Sequence, residues 1–166
     1  MQLKNHVEWA LHCCSVLAAL PENERIPAKL LAELHGIPRE YLSKALQALS
    51  SAGIISGTLG PTGGYKLARA PGRITFLDIV EAVEGNGRTF VCTEIRDNMP
   101  CAEKPPAKGK SRRPCAVARV MYDADKAWRS HLRSVTLADL AKTVEKEVPL
   151  RVLKGNAEWL AAKRNA

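Results

Sequence analysis

Three cysteines in the second half of the chain have the side chains best suited to metal or redox chemistry. They are Cys92, Cys101 and Cys115, with eight residues between the first two and thirteen between the second two. This spacing matches neither a zinc knuckle nor a ferredoxin. A structural disulfide is not expected in a reducing compartment, so metal ligation and redox sensing are the two roles that the cysteines favour.

Cys115 follows Pro114 at the predicted start of a helix. The positive end of the helix dipole stabilises a thiolate at that position. The thiolate is the form of cysteine that binds a metal or reacts as a nucleophile.

The first predicted helix, residues 4–19, contains two more cysteines and two other possible ligands. Cys13 and Cys14 lie in its apolar stripe and are expected to be small buried residues. Glu8 and His12 are four residues apart and share a helix face, where they either ligate metal or form a solvated pair. Glu8 stands between two large apolar residues, so we expect it to be partly buried and to need a partner.

Residues 26–67 have the pattern of a DNA-binding motif, which we call the DNA reader. We expect a short helix at 27–34, a turn at His35-Gly36-Ile37 and a second helix opened by Pro38. Gly53 ends that helix, and a glycine-rich turn at 60–64 joins two short strands. Helix-turn-helix patterns also arise by chance, but the appended hairpin favours a winged helix-turn-helix with a two-stranded β wing, in a mainly α fold.

The second helix is expected to enter the major groove, and the wing to lie along the backbone or in the minor groove. The charge near these elements favours binding to DNA phosphates, because residues 38–73 contain five basic side chains and one acidic side chain. The predicted DNA contacts are Arg39, Tyr41, Ser43, Lys44 and Gln47 on the helix and Thr62, Gly63, Tyr65 and Lys66 on the wing. Arg39 and Gln47 are the expected base readers, whereas Lys44 and Lys66 are expected to contact phosphates.

Composition sets wider limits. The chain has 166 residues, 46% of them apolar, and a formal charge of +8 that favours an anionic partner. Residues 1–85 carry eight basic and eight acidic side chains, so the excess lies entirely in the second half. There is no apolar run of 18 residues and no signal peptide pattern, so we expect a cytoplasmic protein with no membrane partner.

The remaining elements divide the chain into three parts. Thr75 is expected to cap a helix at 76–83, which completes a DNA-binding domain over residues 1–85. Residues 86–114 form an irregular cysteine-bearing segment ending in a basic loop, whose charge is either a solvated run or a contact surface. Residues 115–166 contain a long dimerisation helix at 115–134, a helix at 137–148 capped by Thr136 and the C-terminal residues that follow Pro149. The long helix has an apolar stripe that predicts a homodimer interface, formed by Val117, Val120, Met121, Ala124, Trp128 and Leu132.

Several segments together resemble the Rrf2 family of bacterial transcription regulators. They are MQLKNHVEWALHCCSVLAAL, LAELHGIPREYLSKALQALSSAGII, LGPTGGYKL and ITFLDIVEAVEG, followed by the downstream cysteines. The resemblance implies a homodimer with a winged helix-turn-helix, a long dimerisation helix and, in many members, a 2Fe-2S cluster that senses redox state, nitric oxide or iron-sulfur supply. Two features depart from the usual pattern: Leu59 stands where an arginine is common before the wing, and the cysteine loop is longer.

VEWALHCC, LAELH, FVCTEIR and PCAVARVM are similar to a redox-sensing branch of the family. In that branch two cysteines, a histidine and an N-terminal glutamate hold the cluster. The resemblance then implies Cys92, Cys115, His35 and Glu8 as the ligands. The plain three-cysteine arrangement would use Cys101 instead, and both sets remain open from the sequence.

The resulting hypothesis is a dimeric redox-sensing repressor and not an enzyme. Its nearest alternative is a regulator of the same fold without a cluster, in which the three cysteines form a thiol switch or bind structural zinc. A second alternative is an iron-sulfur electron carrier or enzyme whose DNA binding is incidental. No nucleotide-binding glycine loop and no nucleophile-base pattern in the sequence supports that alternative.

Overall fold

The computed structural model describes residues 3–22, 24–60, 63–101 and 113–164. In those ranges the chain forms seven α-helices and one antiparallel pair of strands. The order is α1 (Asn5–Ala18), α2 (Ala28–His35), α3 (Arg39–Ser51), β1 (Ile55–Thr58), β2 (Gly64–Leu67), α4 (Phe76–Glu84), α5 (Ala116–Ser134), α6 (Leu137–Glu147) and α7 (Leu150–Arg164). This order confirms the predicted winged helix-turn-helix.

The chain divides into two compact units. The smaller unit holds residues 87–131, and the larger unit holds the residues on either side of that segment. The long helix α5 therefore begins in the smaller unit and ends in the larger one.

The larger unit has a core built from one face of each of its helices. In α3 this face is formed by Leu42, Ala45, Leu46 and Leu49, which recur at the helical period and are buried. The same core contains Cys13 and Cys14, both fully buried. Burial raises the pKa of each of these thiols to about 12, so both stay protonated at neutral pH, as expected for structural cysteines.

The turn between α2 and α3 is set by Gly36. Its φ of 63° places it in the left-handed region that ends a helix, and the next residue, Ile37, donates its N–H to the Ala32 carbonyl at 2.9 Å. His35 is thus the last residue of α2 and not part of the turn. Pro38 then opens α3, as predicted.

The wing is tied to the segment before α2 as well as to itself. Ile55 pairs with Leu67, and on its other edge β2 forms a bridge in which Tyr65 and Ile26 exchange N–H···O bonds of 2.8 and 3.0 Å. Gly64 makes this close approach possible. A Cβ atom on Gly64 would lie 2.6 Å from the Ile26 carbonyl carbon.

The predicted caps of α4 and α6 are confirmed as reciprocal capping boxes. Thr75 pairs in this way with Asp78, and Thr136 with Asp139. Backbone hydrogen bonds also join the two helix starts, because Leu137 N donates to the Ile74 carbonyl at 2.9 Å. The helix that follows the long helix is thereby anchored beside the DNA-binding elements.

α7 is an element for which the sequence pattern gave no bounds. Its Leu160 is buried and its Trp159 packs against the core. Arg164 forms an ion pair with Glu24, and Lys163 Nζ lies 4.0 Å from Glu33 Oε2 on α2. The helix is thus attached to the first helix of the DNA reader.

The smaller unit is organised by a polar clasp on α5. Asp125 accepts hydrogen bonds from Thr89 Oγ1 at 2.8 Å and from Arg129 Nε at 3.0 Å. The pKa of Asp125 is lowered, first by the Thr89 hydroxyl and then by the Thr89 N–H and Arg129. The clasp fixes the segment that leads to Cys92. Most of the predicted basic loop at 104–114 lies outside the described residues.

Candidate DNA-binding face and cysteine site

The solvent-exposed face of α3 carries the five residues of this helix that were predicted to contact DNA. Arg39, Lys44 and Gln47 are exposed, and none of them is needed by the core on the opposite face. Ser43 is also exposed, although its hydroxyl donates to the Arg39 carbonyl at 2.8 Å. This face therefore presents two cations and a side-chain amide to solvent, which suits phosphate contact and base reading.

Tyr41 has a structural role that the sequence did not reveal. Its ring is 50% exposed and lies with its centroid 6.4 Å from the ring centroids of both His6 and Trp9 on α1. His6 and Trp9 themselves meet edge to face at 5.1 Å. Spacing could not indicate this contact, because Tyr41 lies on α3, far along the chain from the two rings on α1.

The four wing residues predicted to contact DNA have different surroundings. Gly63 sits where a Cβ would meet the Thr58 carbonyl oxygen at 2.4 Å, so glycine is required by the tight turn. Tyr65 packs across Gly57 and joins the core, and Lys66 Nζ lies 3.4 Å from the Glu22 carbonyl oxygen. Thr62 lies outside the described residues.

Further cations surround the wing. The guanidinium of Arg25 reaches the Ser56 carbonyl at 3.4 Å, and Arg69 Nη1 lies 4.0 Å from Asp78 and 3.4 Å from the Arg73 carbonyl. Arg25 was not among the predicted contacts. The signal for it was its position just before the first helix of the reader.

In the smaller unit, Cys92 and Cys115 share an arginine. The pKa of Arg96 is raised first by its hydrogen bond to Glu94, and Cys115 and Cys92 also contribute to the rise. The guanidinium is therefore within electrostatic reach of both sulfur atoms. Cys101 is exposed, whereas Cys92 and Cys115 are half-buried.

The start of α5 provides a backbone donor to Cys115. The backbone N–H of Ala118 donates to Cys115 Sγ at 3.3 Å. The sulfur therefore lies at the N-terminus of α5, as the position of Pro114 predicted.

The other two predicted ligands belong to the larger unit. Glu8 is exposed, so the expected partial burial of this carboxylate is wrong. Glu8 and His12 border an open apolar groove of about 390 Å³, whose other walls include Phe76, Leu140 and Val144.

His35 is placed differently. Its Nε2 atom is buried and has no hydrogen-bond partner in the part of the chain that the structure describes. Burial, and then the neighbouring His12 at a ring-centroid distance of 5.8 Å, lower the pKa of His35. Its imidazole is therefore neutral near pH 7, which is the form that ligates metal. Among the described residues, no three His, Cys, Asp or Glu side chains form a ready metal-binding group.

Comparison with known proteins decides the family. The profile of the Rrf2 family, described as iron-dependent transcriptional regulator, matches residues 3–143. The chain belongs to the Rrf2 family of transcriptional regulators.

Individual relatives match over most of their length. NsrR of Geobacillus kaustophilus, an HTH-type transcriptional regulator, is 31% identical over 84% of this chain and 89% of its own. YffB of Lactococcus lactis is 29% identical over 96% of this chain and 97% of its own. The structure of CymR, the global cysteine regulator of B. subtilis, superposes with a TM-score of 0.68 at 23% identity, over 86% of this chain and 98% of CymR.

Two features of this Rrf2 regulator differ from what the family match or the family resemblance indicates. The region matched by the family profile ends at residue 143, so it does not include α7, the helix that packs on α2. Leu59, where the resemblance led us to expect arginine, is fully exposed at the wing. No helix in the described ranges is long and apolar enough to cross a membrane.

Proposed function

We propose that this Rrf2 regulator is a homodimeric repressor whose operator affinity responds to a 2Fe-2S cluster held by Glu8, His35, Cys92 and Cys115. The observation that carries the proposal is the buried Nε2 of His35, which has no hydrogen-bond partner among the described residues. A buried polar atom of this kind is costly unless a ligand satisfies it. Iron would do so, and the neutral imidazole is ready to donate.

The chemistry of the donor set is compatible with such a cluster. The two half-buried thiols near Arg96 supply sulfur, and Glu8 supplies an exposed carboxylate. When bound, the cluster supplies a one-electron redox change, and histidine ligation places its potential above that of an all-cysteine cluster.

His35 is positioned to pass a change on to the DNA reader. It ends α2, and only Gly36, Ile37 and Pro38 separate it from the first residue of α3. Because Ile37 is buried in the core, a shift of the His35 ring is transmitted to the turn and then to α3. A coupling free energy of about 1–3 kcal/mol would change operator affinity roughly 5- to 150-fold.

Dimerisation is supported by α5. Val117 and Val120 are each 67% exposed, and Met121 is 40% exposed, on one side of the helix. In a two-fold symmetric dimer the apolar stripe of α5 would pack against the same stripe of the second copy. The double variant V117D/V120D should elute as a monomer in size-exclusion chromatography with light scattering, while K126A should remain dimeric.

The first experiment is spectroscopic. Protein purified without oxygen should absorb in the visible region and contain close to two irons and two sulfides per chain, and its operator affinity should change on dithionite reduction. C92S, C115S and His35→Ala should lose the redox response, and C101S should keep it. A His35→Ala variant that retains the full redox response would rule out the proposed coupling.

A second function is favoured by the shared position of Cys92 and Cys115 near Arg96. Without a cluster, these two thiols could form a disulfide, releasing two protons and two electrons to an oxidant. Colourless, iron-free protein whose DNA binding responds to peroxide and is restored by a thiol reductant would support this thiol switch. Zinc in equimolar amount would indicate a structural metal instead.

A further inference from the structure

Two separate segments of the smaller unit are joined by a single guanidinium. Arg96 Nη2 donates to Glu94 Oε2 at 2.6 Å and to the Arg113 carbonyl at 3.2 Å, and its Nε also bonds to Glu94. Cys92 lies four residues before Arg96, and Cys115 lies two residues after Arg113. Arg96 therefore links directly the two chain segments that carry Cys92 and Cys115.

The backbone at Glu94 is adapted to this contact. With φ 54° and ψ 48°, Glu94 is the only non-glycine residue at positive φ in the described part of the chain. A left-handed glutamate is unfavourable by itself and persists where its surroundings hold it. Glu94 immediately precedes the short 3-10 helix Ile95–Asn98. Its carboxylate forms a bidentate ion pair with the guanidinium of Arg96 on that helix.

The charge of Arg96 also acts on the sulfur atoms. After the hydrogen bond to Glu94, Cys115 and Cys92 both contribute to the raised pKa of this arginine, which places the guanidinium near both sulfur atoms. The contact of Cys115 Sγ with the Ala118 N–H adds a second positive influence on one of the two sulfurs.

We propose that Arg96, braced by Glu94, is a positioning residue that holds together the segments bearing Cys92 and Cys115 and offsets part of the negative charge of a cluster bound to their sulfur atoms. The charge effect rests on the proposed cluster, whereas the holding effect does not. A cluster ligated by two thiolates gains one more negative charge on reduction, so a nearby guanidinium favours the reduced form.

The holding effect is tested in cluster-free protein. In a C101S background, dibromobimane bridges two neighbouring thiols: each thiol loses its proton and displaces one bromide, and the bridged product fluoresces. Arg96→Gln should slow this bridging several-fold, and Glu94→Gln should slow it as well. Arg119→Gln removes an equal charge from the first turn of α5, near Cys115, and should bridge at the parent rate. Circular dichroism would verify that each variant is folded.

The charge effect is tested by redox titration of cluster-loaded protein with mediator dyes. One electron leaves the reduced dye and enters the cluster. Arg96→Gln should give several-fold fewer reduced clusters than the parent at a fixed solution potential, while Arg96→Lys, which keeps the charge, should stay near the parent. A merely structural arginine would not be rescued by lysine in this way.

The outcomes separate this inference from the proposed function. Bridging rates and potentials that are equal in Arg96→Gln and Arg119→Gln would overturn the role of Arg96. If protein purified without oxygen contains no iron but its bridging still depends on Arg96, the cluster is overturned and the holding effect is retained. If the purified protein carries the cluster but bridging after removal of the cluster is independent of Arg96, the holding effect is overturned and the cluster is retained.

Discussion

Gly64→Ala is expected to destabilise the wing strongly. The new Cβ would meet the Ile26 carbonyl carbon at 2.6 Å, its oxygen at 2.7 Å and Pro27 N at 2.8 Å. All three atoms are backbone, so no side-chain rotation relieves the overlap. The φ of 154° at Gly64 is also one that L side chains rarely adopt.

The expected cost follows from what must move. Separating β2 from the segment before α2 breaks the two hydrogen bonds between Ile26 and Tyr65, each worth about 1 kcal/mol. Residual strain adds about 1–2 kcal/mol, as is typical of overpacked sites. The total of roughly 3–4 kcal/mol corresponds to a fall in Tm of roughly 6–16 °C for a chain of this length.

The assay is thermal unfolding followed by circular dichroism, with operator binding measured below the transition. Gly72→Ala is the matched control. Its Cβ would lie 3.9 Å from Ala138 Cβ, an ordinary contact, and the Gly72 backbone is not at positive φ. The control should unfold at or slightly above the parent temperature, because alanine restricts the unfolded chain. If Gly64→Ala and Gly72→Ala melted within 2 °C of each other, roughly the effect of under 1 kcal/mol, the close approach would have no energetic importance.

Further predictions concern DNA contact and acid stability. Lys44→Ala should weaken binding to all sequences and reduce the salt slope by about one unit, with Lys142→Ala on α6 as the control; a loss confined to one base pair would contradict a phosphate contact. Gln47→Ala should instead lose about 1–3 kcal/mol of discrimination at one base position, seen in binding to a set of mutated operators. Thr136→Ala should lower the free energy of unfolding by about 1 kcal/mol in urea titrations, because it removes a helix cap. The pKa of Asp139 is lowered, first by the Thr136 hydroxyl, so its contribution is present above about pH 3.9 and is lost as the pH falls through the folded-state value; Asp139→Asn should remove that dependence.

The DNA reader could be predicted because its signals are local. Pro38 and Gly53 delimit α3 through their backbone conformations, and Thr75 caps α4 with its side-chain hydroxyl. The glycine in the tight turn of the wing is likewise required by contacts with residues close to it in the chain. The bounds of α1 to α6 accordingly lie within three residues of those expected. α7 lacked such a signal because Gly155 and Asn156 interrupt its pattern, and its position depends on tertiary contacts.

The candidate site could be predicted less completely, since it depends on contacts between distant residues. Spacing identified the cysteines and the helix start at Cys115, but could not show that Arg96 lies near both Cys92 and Cys115. Neighbouring apolar residues suggested that Glu8 is partly buried, yet it faces outward from α1. The buried nitrogen of His35 likewise follows from packing around the end of α2 and from nothing in the local sequence.

The attachment of α7 to α2 makes the timing of synthesis matter. Ribosomes release α2 and α3 long before Trp159 and Leu160 have been made, so a growing chain carries the reader without the helix that supports it. A polypeptide still being translated, or one clipped ahead of residue 150, therefore offers DNA a reader whose first helix lacks part of its apolar cover. The support that α7 gives to α2 therefore reaches the reader only after translation has passed Leu160.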